Sequence, residues 1–241
     1  MIGFADEGEF GDAVETLPML SESECQQLRE QVYRLRPHWV QRYPNLPIYA
    51  LGAALFIDAR RGGGHYGDSV GRYNSLLQEH FGQLYEQFAE FLSRRLGGPV
   101  AYTPDKALPG FRIFFAHPAF TLLSASVHAD LQYRHTDWSW AKSVSRPITF
   151  TLPISLPSHG SGLNIWDVNI RQLAGVPKPD AARAFREAKK QFIEYQLGHV
   201  ALQFGHLLHQ IAMPEEMVDG DERVTFQGHG LFCDGVWRLY C

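Results

Sequence analysis

The sequence predicts an α+β protein with a mainly β core, in which helices from the N-terminal part pack outside a double-stranded β-helix, or jelly roll. Three observations predict it. From Gly110 onward the chain breaks into short runs of alternating apolar and polar residues, separated by turns containing Gly and Pro, the pattern of half-buried strands in sandwiches and jelly rolls. The two clearest stripes of apolar residues at helical spacing lie before residue 100. The chain has 241 residues, without internal repeat or low-complexity stretch, which suits one domain over 1–241: a mainly helical part over 1–109 and a jelly-roll core over 110–241.

Taken in order, residues 1–20 are rich in Gly and acidic side chains and read as an irregular lead-in or a short strand. Ser21 and Glu24 have the spacing of a capping box, in which the serine accepts from the first helical turn and the glutamate reaches back. Cys25, Leu28, Val32 and Leu35 then recur at helical spacing until Pro37 ends the helix. The apolar run 48–57, interrupted by Gly52, fits either a strand or a buried helix, and Arg60-Arg61-Gly62-Gly63-Gly64 reads as a solvated loop. From about Asn74, Leu77, Phe81, Leu84, Phe88 and Phe91 form one apolar stripe, with Arg94 and Arg95 in the last turn and Gly97-Gly98-Pro99 as the stop. This helix is expected to pack on the outside of a sheet and to carry no chemistry. Strands are expected at 111–115, 121–132, 148–154, 163–168, 192–197, 200–204, 223–229 and 236–240, with a helix at 181–190. Arg112 stands out among the apolar neighbours of the first of these strands.

Composition narrows the partners. A net charge of −4 and no long basic run argue against nucleic acid or an anionic membrane. Cys25, Cys233 and Cys241 are an odd set without a CxxC pair, so neither a disulfide framework nor a zinc knuckle is expected. The N-terminus is acidic (Asp6, Glu7, Glu9, Asp12) and lacks the basic segment and apolar run of a signal peptide. No stretch reaches the ~20 apolar residues that span a bilayer. These features predict a cytoplasmic protein acting on a small molecule.

The chemistry is concentrated in Ser126-Val127-His128-Ala129-Asp130-Leu131-Gln132. In an extended chain, side chains two apart share a face, so His128 and Asp130 would project together. One imidazole and one carboxylate are half of a facial metal site, and a second histidine would complete the 2-His-1-carboxylate triad that leaves positions open on iron(II). His206 and His209 compete for that role. His209 is preferred because it lies within the apolar Leu207-Leu208-His209-Gln210-Ile211, whereas His206 follows Gly205 at a turn. A second pair, His135 and Asp137, lies in a polar and aromatic stretch that reads as a loop, with Trp138 and Trp140 as candidates to line a pocket or merely pack. Further on, Arg223, Thr225, Gln227 and His229 alternate onto one polar strand face. A guanidinium there can hold a carboxylate by two parallel hydrogen bonds; paired instead with Glu215 or Asp219, it would be an ordinary surface arginine.

The ordered set HxD, a long gap, H, then RxT on a strand resembles the Fe(II)/2-oxoglutarate-dependent oxygenase superfamily, and Gly160-Ser161-Gly162-Leu163 and Gly198 fall where that family has similar features. The resemblance covers the chain from Gly110 to the end. It implies a cupin-like jelly roll in which His128, Asp130 and His209 bind iron, while Arg223, helped by Thr225, takes the far carboxylate of 2-oxoglutarate. It also implies that 2-oxoglutarate and O2 are consumed, with release of succinate and CO2, as a C–H bond is oxidised. Within the superfamily the segments GSGLNIWD and RVTFQGHG are similar to small bacterial oxygenases acting on amino acids or natural-product intermediates. Related halogenases replace the carboxylate ligand, so the presence of Asp130 implies hydroxylation or desaturation. Two other readings use the same residues: a cupin-type metal enzyme without 2-oxoglutarate, which leaves Arg223 without a purpose, and a non-catalytic jelly-roll binding module with structural histidines.

Overall fold

Strand periodicity accounts for most of the architecture. The computed structural model describes residues 13–53, 63–122, 125–212 and 218–241, with the side chains of residues 63–66, 68, 121, 122 and 135 left aside. The far part of the 48–57 run, Arg60, Arg61, Gly62 and Glu215 lie outside the described residues. Twelve strands are found among them. Those on the main path of a nine-stranded sheet are β1 (Ala13–Pro18), β2 (Val40–Tyr43), β3 (Leu46–Leu51), β5 (Gly110–Phe115), β6 (Val144–Ser155), β9 (His199–Phe204) and β11 (Glu222–Cys233), in the order β1-β9-β6-β11-β5-β3-β2. On this sheet β4 (Val100–Tyr102) pairs with β12 (Val236–Tyr240), which pairs with β11. A smaller sheet has the order β10-β7-β8, from β7 (Gly162–Asn169), β8 (Lys190–Glu194) and β10 (Leu207–Ala212). The sheets are antiparallel apart from β12 against β4.

The period of two sorts each central strand of the large sheet into two faces. Phe111, Ile113, Phe150, Leu152, Val224 and Phe226 belong to the main hydrophobic core. Their alternates Arg112, Phe114, Thr149, Thr151, Arg223, Thr225 and Gln227 line a cavity on the other side. The core face is covered by helices. Helix α1 (Glu22–Arg34) starts with the expected capping box, both halves present at Ser21 and Glu24, and buries Cys25 and Val32. Helix α2 (Gly63–Leu96) lays Phe81 on Phe111 and Phe88 on Phe150, with ring centroids 4.6 Å apart in both pairs. Burial of each such aromatic is worth about 1.5–3 kcal/mol, so this face holds the scaffold together. Among the described residues no helix is long and apolar enough to cross a membrane.

Several elements differ from the sequence expectations. Helix α2 begins at Gly63, well before Asn74, and its backbone breaks from helical angles at Phe81 (φ −125°, ψ 18°). The glycines of this first part count against a helix by propensity, but Val70 and Tyr73 pack with Ala53, Ala107 and Cys241, and tertiary burial overrides propensity. The N-terminal part is not confined to the outside either: β1, β3 and β4 enter the large sheet beside β9, β5 and β12. The strand expected over 121–132 is not found among the described residues. A single helical turn (Ala119–Leu122) and a 3-10 turn (Gln132–His135) flank it, and residues 125–131 pair only at one rung, His128 with His209. Helix α3 (Lys178–Glu187) and β8 both start ahead of their predicted limits.

Candidate metal and carboxylate site

The loop 125–131 lies along the free edge of β10. His128 N donates to His209 O (2.9 Å), His209 N donates to His128 O (2.8 Å), and Gln210 Nε2 donates to Ala125 O (2.6 Å). That one rung brings together the two histidines proposed from sequence, with ring centroids 4.5 Å apart. Asp130, two residues on, completes a cluster in which one ligand atom from each of His128, Asp130 and His209 lies within 4.8 Å of the others. The separations are 3.8 Å from His128 Nε2 to Asp130 Oδ1 and 3.4 Å from His209 Nε2 to Asp130 Oδ2.

Neighbouring groups fix how these side chains face. His128 Nδ1 lies 2.9 Å from Ser126 O and His209 Nδ1 lies 3.1 Å from Leu207 O. A carbonyl at Nδ1 selects the tautomer with its proton there, which leaves the Nε2 lone pair of both rings toward Asp130. Both oxygens of Asp130 are held: Gln132 Nε2 donates to Oδ1 and Thr149 Oγ1 donates to Oδ2, each at 2.8 Å. Burial alone would raise the Asp130 pKa, but His209, His229 and His128, with the Gln132 hydrogen bond, outweigh it and hold the carboxyl well below its usual range. Burial lowers the pKa of His209, with Asp130 opposing, and that of His229 for the same first reason. The result is two imidazole Nε2 atoms facing a carboxylate, a donor set suited to a divalent first-row metal such as iron(II).

The cavity has a volume of about 250 Å³. Arg223 lines it from β11, is 4 % exposed, and its guanidinium lies over the Phe114 ring (4.1 Å). Its Nη1 donates weakly to Ser161 Oγ at 3.4 Å, and its Nε has no partner. No carboxylate lies within 4 Å of it among the described residues, so it is not paired with Asp219. Burial lowers the Arg223 pKa, with Tyr195 opposing. A buried guanidinium without an anion is costly, and this one is aimed at a cavity. Thr225 also lines the cavity, its hydroxyl donating to Gln227 Oε1 at 3.3 Å.

The remaining proposed residues separate clearly. Asp137 is exposed, its Oδ1 accepting from Ser139 N at 2.8 Å, and it is absent from the cavity lining; the side chain of His135 is outside the described set. Trp138 is buried in a separate apolar cluster with Tyr133 and Tyr240, and Trp140 is 46 % exposed beneath Arg238. Neither indole lines the cavity. The aromatic stretch packs away from the site because its apolar partners are Val144, Leu231 and Cys233. His206 is fully buried, with Nε2 2.7 Å from the Tyr133 hydroxyl. His229 does reach the site, with Nδ1 4.0 Å from Asp130 Oδ2 and 3.2 Å from Thr149 Oγ1. Sequence reasoning missed Thr149, Gln203 and Tyr195. Thr149 was signalled by the polar side of the alternation in β6; Gln203, whose Nε2 lies 3.2 Å from His209 Nδ1, is likewise the polar alternate of an apolar strand.

No protein-family model matches the chain, and no curated protein sequence does. Solved structures do. One is an N-substituted L-amino acid dioxygenase from Burkholderia ambifaria AMMD in complex with α-ketoglutarate, at TM-score 0.57 and 16% identity over 95% of this chain and 86% of that one. Another is SnoK, a non-haem α-ketoglutarate-dependent carbocyclase from nogalamycin biosynthesis, at TM-score 0.53 and 13% identity over 95% of this chain and 83% of that one. A third is the epimerase SnoN of the same biosynthesis, at TM-score 0.51 and 13% identity over 90% of this chain and 77% of that one. At such identities the likeness is one of fold: the chain has the jelly-roll fold of these α-ketoglutarate-dependent enzymes.

Proposed function

We propose that residues 1–241 form one oxygenase domain that uses iron(II), 2-oxoglutarate and O2 to oxidise, most simply by hydroxylation, a C–H bond of a small molecule such as an amino acid or natural-product intermediate. The observation that carries this reading is that the His128, Asp130 and His209 cluster opens onto the same cavity as the anion-free guanidinium of Arg223. A histidine cluster by itself would suit any metal protein, and a buried arginine by itself would suit any anion. Together they match a metal and a co-substrate carboxylate, and the fold likeness to α-ketoglutarate-dependent enzymes supports the pairing. Nε2 of His128, Nε2 of His209 and one Asp130 oxygen would hold iron(II); Arg223, with Thr225 beside it, would take the far carboxylate of 2-oxoglutarate.

When bound, iron(II) with 2-oxoglutarate and O2 supplies the oxidising power for an unactivated C–H bond. The chain supplies position. Ser126 O and Leu207 O set the histidine rings, Gln132 and Thr149 fix the Asp130 carboxylate, and Phe114 stacks beneath the Arg223 guanidinium. Hydrogen bonds from Gln132 and Thr149 occupy one lone pair on each Asp130 oxygen and limit rotation of the carboxylate, which favours one coordination geometry. The low exposure of Arg223 and His209 keeps water from competing for the anion.

The test is succinate formation from 2-oxoglutarate by the purified protein with iron(II) and O2, screened over amino acids and small metabolites. Substrate-dependent succinate release supports the reading. Metal-dependent turnover that ignores 2-oxoglutarate would point instead to a cupin-type enzyme, and failure to bind iron(II) or manganese(II) to a binding module.

A further inference from the structure

Arg112 is the residue that fits its strand least by sequence, and the structure puts it where that matters. It is a second guanidinium lining the cavity from β5, 8 % exposed. Its Cα partner on β11 is Thr225, while Arg223 is partnered by Phe114, so the two arginines start from adjacent strands one step apart. Their side chains have different surroundings. Arg223 is among Ser161, Phe114 and Tyr195. Arg112 donates through Nη1 to Phe111 O and through Nη2 to Cys241 Sγ, each at 3.2 Å, and its charge is felt by His229, which lies 4.0 Å from Asp130. No carboxylate is within 4 Å of Arg112 among the described residues. Arg42 lines the same end of the cavity: its Nη2 donates to Gly52 O at 3.0 Å, and Gly52 abuts Gly110, the residue beside the Arg112 guanidinium.

Asp130 is the only carboxylate among the described side chains lining the cavity, and it is engaged by the histidine cluster. If iron(II) and Arg223 are balanced by Asp130 and the two carboxylates of 2-oxoglutarate, no side-chain carboxylate of the described lining remains for Arg112. A desolvated guanidinium of this kind favours an anion that brings planar, two-point acceptors. We propose that Arg112 binds the carboxylate of the substrate, and that the enzyme therefore acts on small carboxylic acids rather than on neutral molecules. At about 250 Å³ the cavity sits below the ~300–1,000 Å³ of sites for drug-sized ligands, which limits the acid to a small one. This substrate class rests on the oxygenase reading above.

Binding of matched pairs tests it: free amino acids, N-acetyl amino acids and short aliphatic acids, each against its carboxamide. Calorimetry is run on the protein loaded with manganese(II) and 2-oxoglutarate without O2, and again on metal-free protein. At least one acid is expected to outbind its amide by tenfold or more. Arg112→Gln should bring that ratio below threefold while manganese(II) and 2-oxoglutarate titrate as in the unaltered protein. Arg112→Lys, which keeps the charge and the fold, should retain part of the preference. The proposal is overturned if no acid outbinds its amide, if the preference survives Arg112→Gln, or if Arg112→Gln loses 2-oxoglutarate instead. Failure of the unaltered protein to bind manganese(II) or 2-oxoglutarate is a different result: it removes the oxygenase reading, and acid preference on metal-free protein is then read separately.

Discussion

At the scale of single residues, the two HxD pairs give a direct contrast. Asp130 is buried and held at both oxygens, whereas Asp137 is exposed and tied to Ser139. Asp130→Gly should lower iron(II) affinity by at least the ~10–100-fold that loss of a mere supporting contact costs, and abolish succinate release; Asp137→Gly should leave both near the unaltered values. Iron(II) titration of the two variants side by side checks this, and loss of metal in the Asp137 variant alone would move the site to the other pair. Arg223→Lys keeps the charge but not the two-point geometry. The 2-oxoglutarate dissociation constant should rise about 10–100-fold, the value of roughly one charged hydrogen bond, with iron(II) binding unchanged. His128, Asp130, His209 and Arg223 stood out in the sequence by residue type and order, and the structure brings them onto one cavity. A shared strand face for His128 and Asp130 does not hold, however, since 125–131 is a loop with one rung. What converges them is a contact with β10 that lies far away in sequence, and no local pattern encodes it.

At the scale of elements, period-two alternation was legible wherever a strand has one face on the core and one on the cavity, as in β6 and β11, because that is a property of neighbouring residues. Strand limits, the early start of α2 and the packing of Trp138 depend on distant partners and were not. Gly198 illustrates an element joint that sequence marked correctly. It has φ +74°, and a methyl group there would lie 2.1 Å from Leu20 O; its carbonyl accepts from the amides of Met19 and Leu20, tying the end of β1 to the start of β9. Gly198→Ala should destabilise the fold by about 2–3 kcal/mol, read as a lower urea midpoint. The hairpin between β11 and β12 is braced differently: Asp234 accepts from Lys142 N and Ser143 N, each at 3.0 Å, and these bonds hold its pKa below the ordinary carboxylate value. A depressed folded pKa means the contribution is present above the unfolded pKa of about 3.9 and fades as pH falls through the folded value. The stability gap between the unaltered protein and Asp234→Asn, which also tolerates the φ of +50° at this position, should therefore be measurable at pH 6 and narrow as the pH falls below about 3.9. A gap unchanged by acid would mean the brace is not the carboxylate.

At the scale of the whole molecule, the cavity lies between a large sheet backed by helices and a small three-stranded sheet, and the site draws on both: Thr149, Arg223 and His229 from one, His209 from the other, with His128 and Asp130 on the loop alongside. The backing is extensive on the large-sheet side and slighter at the loop, where one antiparallel rung and the Gln210–Ala125 bond secure 125–131 to β10 and Thr149 holds Asp130. A segment with so little anchorage opens without global unfolding. An ion gripping His128 and Asp130 on the loop and His209 on β10 is thus a cross-link, and by mass action it adds about 2.7 kcal/mol to the closed form at a hundredfold excess over its dissociation constant. Amide exchange over 125–131 should slow by up to about a hundredfold when manganese(II) is added; amides of α2 that exchange only by global opening should slow by a similar factor, because global opening releases the ion too, so the loop is distinguished by fast exchange in the metal-free protein. Equal protection of the loop with and without the ion would show the rung to be sufficient. On the proposed reading, the weak rung makes the loop a latch that a bound ion would close, so stripping the metal would remove the proposed chemistry and also leave ajar one wall of its chamber.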